Sequence, residues 1–494
     1  MIILSIMERE PAAVKEILVA PPEGADALEV RLDALKRCEP PLWFPGSAMA
    51  GRPVIATCRH SSEGGLYRRC EKHRREALLA AARAGAAYVD IEFGSPSMDL
   101  LHEIAPAKVI LSHHDVRRTP PASDLFLLYR KMASVPGVAA VKIVTTARQA
   151  WDILEIKRLL KKAAGRKVML AAFAMGEPGV PSRILAPLWG SWATYVSLRR
   201  GSEAAPSQLT LAEALHVYRV NEIDEETRLV GITGWPVKHS LSPLMHNAAF
   251  LHQGVNFRYL PFAAPRIDRL ADLFRALRIR GLRVTAPHKE ALWRKLRSLE
   301  PQAREIGAVN TLLHSGRRLV GFNTDAEGTL RPLRERIDPA RKVAVIVGAG
   351  GAARAVAWAL ARAGSNVIVC SRRERPGRAV ARIASGRYVP PRRLAKESYD
   401  ILINATPVGM DGRSLPVPRE AVKGSLVGDL IYRPLVTPLL KTAMERGIPT
   451  FGGLDVLLAQ GLEQYALFTG REAPADAMRD ALLAAAEGAE GLFG

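Results

Sequence analysis

The sequence predicts an α/β protein in two parts: an N-terminal (β/α)8 barrel of the TIM type, then a two-domain unit in which an α/β substrate domain precedes a Rossmann domain. Three observations carry this. Eight short β-like runs alternate with helical stretches in the first half, which is the strand count of a barrel. The stretch "VAVIVGAGGAARAVAWALARAGSNVIVCSRR" reads strand, glycine turn, helix, strand, as a dinucleotide fold requires. At 494 residues the chain is too long for one core. The expected divisions are 1–220 (barrel), 221–333 (substrate domain), 334–453 (Rossmann domain) and 454–494 (helices returning to the substrate domain).

Composition narrows the class. Hydrophobic residues make up 48% and charged residues 24%, ordinary for globular proteins. No apolar run approaches the roughly 20 residues that span a bilayer. "MIILSIMERE" meets acids early and reads as a first strand, so a cytoplasmic protein is expected. Cys38, Cys58, Cys70 and Cys370 form no CxxC pair and read as reduced, structural thiols rather than metal ligands. The net charge of +21 fits either nucleic acid or anionic metabolites. Its arginines are scattered through helical stretches without a nucleic-acid-binding signature, so small carboxylate substrates are the expected partners. Oligomeric state is not legible.

The barrel strands are "IILSI", "ALEVRLD", "PVIATCR", "AAYVDIE", "KVILSHHD", "AAVKIV", "KVMLAAFA" and "ATYVSL". Stretches such as "KHRREALLAAARAG" supply helices between them. A doubly wound sheet is disfavoured here, because no glycine-rich phosphate turn follows any of these strands. Polar residues fall where a barrel uses them, toward strand C-terminal ends: Glu29, Arg31, Arg59, Glu63, His114 and Lys142. Lys142 sits inside an apolar run, where an ammonium must be paired, neutralised or used. Arg31, Arg59 and Arg183 converging on one mouth suggest a carboxylate-bearing substrate. Their positive field, with desolvation, is expected to favour a neutral, nucleophilic Lys142. Such an amine beside a histidine suits imine formation with a ketone, then proton abstraction at the adjacent carbon.

These stretches, with "TCRHSSEGG", "PSRI" and "APSQ", resemble the type I 3-dehydroquinate dehydratases over about Met1 to Arg219. The resemblance implies that Lys142 forms the Schiff base and that His114 is general base and acid, oriented by Glu63. It implies that Glu29, Arg31, Arg59, Arg183 and Gln208 hold the substrate's carboxylate and hydroxyls. Two positions depart from the family's "APGQ" loop: Ala204 where serine is frequent, and Ser207 in place of glycine.

A boundary near residue 222 is marked by the acidic "VNEIDEETRLVGITGWP". In "HSLSP", Ser240 and Ser242 precede a helical run, an anion site in the making. "RVTAPHKE" places Thr285 at a strand end and Lys289 just beyond, while "GAVNT" and "NTDAEG" offer Asn310 and Asp325. A Lys289/Asp325 pair can move a proton. The glycine turn holds Gly348, Gly350, Gly351 and Ala352, with Ala353 in the third slot of G-x-G-x-x-A. Its second strand ends in Ser371, Arg372 and Arg373. These suit a 2′-phosphate, so NADP(H) is expected over NAD.

Together these motifs, with "NATPVGM", "DLIYRPLVTPLL" and "GGLDVLLAQ", resemble shikimate dehydrogenase. That resemblance implies carboxylate binding by Ser240 and Ser242, a catalytic Lys289/Asp325 pair, and ring-hydroxyl contacts from Thr285, Asn310 and Gln460. Tyr432 would lie near nicotinamide and carboxylate, and Thr406 and Gly453 would line the cofactor cleft. Serine at 371 replaces the family's frequent asparagine. The joint expectation is a bifunctional enzyme of the shikimate pathway, a lyase and an oxidoreductase on one chain. It would convert 3-dehydroquinate to 3-dehydroshikimate, then reduce that with NADPH to shikimate. The alternative is a quinate/shikimate dehydrogenase whose barrel half is silent or a scaffold.

Overall fold

The computed structural model describes residues 1–36, 51–316 and 318–486; Cys38 and the last eight positions of the 454–494 segment lie outside them. All eight predicted barrel runs are strands: β1 Ile2–Ile6, β2 Ala27–Arg31, β3 Val54–Thr57, β4 Tyr88–Glu92, β5 Lys108–His114, β6 Val138–Thr146, β7 Met169–Met175 and β8 Thr194–Ser197. They form one parallel sheet in the order β7-β6-β5-β4-β3-β2-β1-β8. The ring meets at a seam rather than a ladder. Between β7 and β8 the Trp192 N–H donates to the Leu170 carbonyl at 2.8 Å, and the Ala172 N–H donates to Ser191 Oγ at 3.2 Å. Strands of a barrel are covered on both faces, which is why these runs read as near-continuous apolar sequence.

The second sheet comprises β9 Arg228–Gly234, β10 Phe257–Ala263, β11 Gly281–Val284, β12 Ser298–Leu299, β13 Thr311–Ser315 and β14 Arg318–Phe322. Its order is β10-β9-β11-β13-β14-β12, with β13 antiparallel to both neighbours. The third comprises β15 Val343–Val347, β16 Asn366–Cys370, β17 Arg387–Val389, β18 Ile401–Asn404, β19 Leu426–Asp429 and β20 Thr450–Phe451. The order β17-β16-β15-β18-β19-β20 is the doubly wound 3-2-1-4-5-6 arrangement, whose crevice opens at the β15/β18 switch point.

After β20 the helix Gly453–Thr469 packs back on the second sheet's layer. A Cβ on Gly461 would meet Met245 Cε at 2.3 Å, and one on Gly328 would meet Gln460 Cβ at 2.8 Å. The barrel touches the second unit through specific polar contacts. Glu177, in the loop after β7, accepts from the backbone N–H groups of Val237 at 2.5 Å and Lys238 at 2.7 Å. Arg258 Nε donates to the Tyr218 carbonyl at 2.9 Å. Among the described residues no helix is long and apolar enough to cross a membrane.

Candidate functional sites

The barrel cavity encloses about 290 Å³ and is lined by Glu29, Arg31, Arg59, Glu63, His114, Lys142, Arg183, Tyr195 and Gln208, among others. All eight barrel residues singled out in the sequence therefore meet in one hollow. Lys142 and Glu29 do not sit at strand ends. Lys142 is the fifth of nine residues in β6, which runs on because it stays in register with β7 as far as Met175. The Lys142 amine is thus recessed, at 4% exposure.

What surrounds Lys142 differs from the sequence expectation. Its Nζ forms ion pairs with Asp90 Oδ2 at 2.6 Å and Glu29 Oε1 at 3.4 Å, and lies 4.6 Å from the Tyr195 ring centroid. Carboxylates, not guanidinium groups, make direct contact. Two of the three arginines are likewise engaged by acids. Arg31 pairs with Asp33 at 2.7 Å, and Arg59 with Asp90 at 2.7 Å and Glu92 at 3.2 Å. Arg183 alone of the three has no acid among the described residues, and its Nε and one Nη are buried without a hydrogen-bond partner. Burial pulls it down to about 10. All three arginines line the cavity, but Arg31 and Arg59 also brace acids, and Arg183 has no acid partner among the described residues.

His114 is held by Glu63. Glu63 Oε2 lies 3.0 Å from His114 Nδ1 and accepts the His114 backbone N–H at 3.1 Å. Burial, reinforced by Arg59 and Lys142, holds His114 well below the ordinary imidazole range, so the ring is neutral. Burial pushes Glu63 up to about 7 against the opposing pull of Arg59. Glu29 is fixed by Ser5 at 2.6 Å and Thr57 at 2.9 Å. Gln208 accepts from Ala204 N–H at 2.7 Å and donates to Ser5 at 3.3 Å, tying the loop at 204–208 to the barrel floor. In that loop Ser207 has φ +58, the left-handed region that glycine takes at least cost.

Sequence reasoning missed Asp90, Asp33, Glu92 and Tyr195. Asp90 was findable: an acid within "AAYVDIE" carries the same burial argument as Lys142.

In the second unit, Lys289 Nζ lies 2.5 Å from Asp325 Oδ2. Asn310 Nδ2 donates to Asp325 Oδ1 at 2.8 Å, and the Asp325 N–H donates to Asn323 at 3.0 Å. The Gln460 amide is satisfied in one orientation, donating to Asp325 Oδ1 at 2.9 Å and accepting from Arg283 at 3.1 Å. Ser240 Oγ accepts the Ser242 N–H at 3.2 Å, at the start of the helix Ser242–His252. Thr285 follows β11 and its N–H donates to Thr233 at 2.9 Å; Tyr432 packs on the core of the second sheet. Arg283 was not anticipated, although a charge inside "GLRVTA" is the same signal that marked Lys142. A larger hollow of about 470 Å³, lined by Arg228, Arg275, Arg278, Arg280 and His314, opens at the opposite end of this sheet and holds none of these residues.

The nucleotide turn lies against this site. A Cβ on Gly351 would sit 3.0 Å from Lys289 Cβ, so the start of the helix Gly351–Arg362 closes on the catalytic candidate. Gly348 has φ +130, and its absent Cβ leaves Ala405 and Thr406 close, while a Cβ on Gly350 would meet nothing within 4 Å. That open cradle above a helix N-terminus fits a pyrophosphate. Ala353 is buried beneath it, and Ala352 follows Gly351 in the first turn. Thr406 Oγ1 donates to Asn404 at 2.7 Å. Gly453 abuts Ile431, 2.4 Å from its would-be Cβ. Beyond β16, Arg372 and Arg373 are exposed and available to a phosphate. The Ser371 hydroxyl instead donates to the Arg373 carbonyl at 2.9 Å and holds the turn.

Over 481 residues the chain is 32% identical to the bifunctional 3-dehydroquinate dehydratase/shikimate dehydrogenase of Arabidopsis thaliana, covering 91% of this chain and 79% of that one. The chain belongs to this bifunctional family. The type I 3-dehydroquinase family matches residues 2–225, the shikimate dehydrogenase substrate binding domain residues 232–312, and the shikimate 5'-dehydrogenase C-terminal domain residues 453–483. The dehydrogenase half is 45% identical to a shikimate dehydrogenase (NADP(+)) of Moorella thermoacetica over 285 residues, 54% of this chain and 96% of that one. A crystal structure of a shikimate dehydrogenase with NADP+ matches at TM-score 0.50 and 36% identity, covering 53% of this chain and 96% of that one. The barrel is accordingly the dehydratase half and the remainder the dehydrogenase half.

Proposed function

We propose that the barrel dehydrates 3-dehydroquinate through an imine on Lys142 and that the second half reduces the resulting 3-dehydroshikimate to shikimate. The observation that carries the reading is one cavity holding a recessed lysine beside a neutral His114. Lys142, an ammonium held by Asp90 and Glu29, first gives a proton to the neutral His114. Its amine then attacks the substrate ketone, and the protonated ring returns that proton to the former ketone oxygen, which leaves as water as the iminium forms. His114 Nε2 takes the proton from the adjacent carbon; the same proton then goes to the departing hydroxyl. Glu63 fixes the ring through Nδ1, and Arg183 answers the carboxylate. Hydrolysis of the imine restores the amine.

In the dehydrogenase half Lys289, placed by Asp325, delivers a proton to the reduced carbonyl oxygen. Ser240 and Ser242 receive the carboxylate, while Thr285, Asn310 and Gln460 receive ring hydroxyls, with Tyr432 beside them. NADP(H) supplies the hydride; Gly348 to Ala353, Thr406 and Gly453 would cradle it, and Arg372 with Arg373 would hold its 2′-phosphate. The domain limits at 220, 333 and 453 belong to this reading, supported by the packing of Gly461 on Met245. So do a cytoplasmic setting, as read from the sequence, and small anionic partners rather than nucleic acid, the latter supported by buried basic residues in both sites.

Nicotinamide absorbance after mixing the protein with 3-dehydroquinate and NADPH tests the sequence of steps. Consumption of NADPH is expected. Consumption only when 3-dehydroshikimate is supplied would leave a silent barrel, and none with either would retire the bifunctional reading. Borohydride with 3-dehydroquinate should leave ligand on Lys142, and recovery of the unmodified peptide alone would reject the imine.

A further inference from the structure

Six arginines are buried among the described residues: Arg31, Arg59, Arg74, Arg183, Arg258 and Arg283. Four have a carboxylate within ion-pair distance, from Asp33, Asp90, Glu92 and Glu222 respectively for Arg31, Arg59, Arg74 and Arg258. Arg183 and Arg283 have none among the described residues. Arg183 faces the barrel cavity. Arg283, 8% exposed, is on β11, the strand between β9 and β13, flanked by fully buried Leu282 and Val284.

An isolated cation out of water is costly, and fold stability alone would favour an apolar residue there. Its contacts all belong to the dehydrogenase site. One Nη donates to Ser242 Oγ at 2.5 Å, the other to Gln460 Oε1 at 3.1 Å, and Nε is buried without a partner. Ser242 Oγ accepts from Arg283, and its own hydrogen is within reach of the Tyr259 hydroxyl. Ser240 Oγ accepts the Ser242 N–H, which leaves its hydrogen free. A Ser240 hydroxyl donor beside a buried guanidinium with no carboxylate partner among the described residues makes a site for an anion.

We propose that Arg283 is the counter-charge for the substrate's carboxylate in the dehydrogenase half and sets its preference for the acid over neutral analogues. This rests on the dehydrogenase reading above. By the same contacts Arg283 orients Gln460, whose amide then donates to Asp325. Each site thus holds one buried guanidinium, with no carboxylate partner among the described residues, for one substrate carboxylate.

The test compares shikimate with its carboxamide in the oxidation direction, with NADP+ and the full chain. The wild type should prefer the acid in kcat/KM by about 100-fold. Arg283→Gln should lose most of that ratio, because activity on the acid falls by the lost counter-charge as well as by the displacement of Gln460, whereas the carboxamide loses only the smaller, shared part. Arg283→Lys should restore part of it. Equal losses on both compounds would assign Arg283 a structural role and overturn the proposal, as would an unchanged ratio. If Arg283→Gln does not fold, a wild-type ratio below threefold overturns it independently. Wild-type protein inactive on shikimate would instead refute the dehydrogenase reading itself.

Discussion

Replacing Asp90 by asparagine keeps the shape of the side chain and removes one buried charge. Asp90 is 3% exposed and its carboxylate serves Lys142 at 2.6 Å, Arg59 at 2.7 Å and the Ser112 hydroxyl at 2.6 Å. Burial would raise its pKa, but Arg59 and Lys142 outweigh that and hold it well below the usual carboxylate range. Asparagine leaves two buried cations short of a counter-charge. Breaking a buried pair from one side costs about 3–5 kcal/mol. For a unit the size of this barrel that is a fall of roughly 6–20 °C in the barrel's unfolding midpoint. The barrel transition is read as dehydratase activity surviving a heat pulse, and the dehydrogenase activity of the same sample serves as an internal reference. The sign with pH follows from a depressed carboxyl. Its contribution is full above the unfolded value near 4 and is lost as pH falls below it, so wild type and Asp90→Asn should converge in stability in acid. A loss under about 1 kcal/mol at neutral pH, the range of a surface pair, would refute the view that Asp90 neutralises the cavity.

Other consequences are as direct. With Glu63 near 7 and required as the carboxylate that orients His114, dehydratase kcat/KM should fall about tenfold per pH unit below that value. Glu63→Gln should flatten the acid limb at a lower rate; a flat wild-type profile between pH 5.5 and 8 would contradict the pairing. Ser207→Gly removes a left-handed penalty of about 1–2 kcal/mol and adds back about 0.5–1 in chain entropy, so a neutral to slightly raised midpoint is expected in calorimetry. Destabilisation would show that the loop uses the serine. A charge-assisted hydrogen bond is worth about 1.5–3 kcal/mol, so Arg372→Asp should cut the NADPH-over-NADH preference about 10- to 100-fold. An unchanged ratio of kcat/KM values would leave phosphate recognition to Arg373.

The sequence by itself determined the order and type of the elements. Barrel strands covered on both faces are written as short apolar runs, and all eight were readable as such. The glycine turn was readable because a phosphate cradle needs Gly348 and Gly350 at fixed spacing between strand and helix. The lysine of β6 was readable because an ammonium in an apolar run has few explanations. Tertiary structure decided which charges neutralise one another. Asp90 reaches Lys142 across β5, and Arg59 reaches Asp90 from the neighbouring strand's end, so neither pairing leaves a trace in residue spacing. That is why the sequence could bring three arginines to one cavity but could not show that two of them also face Asp33, Asp90 and Glu92. It is also why Arg283 passed as an ordinary strand residue. An arginine's role turns on whether an acid lies within about 4 Å, a distance set by how strands far apart in the chain are laid side by side.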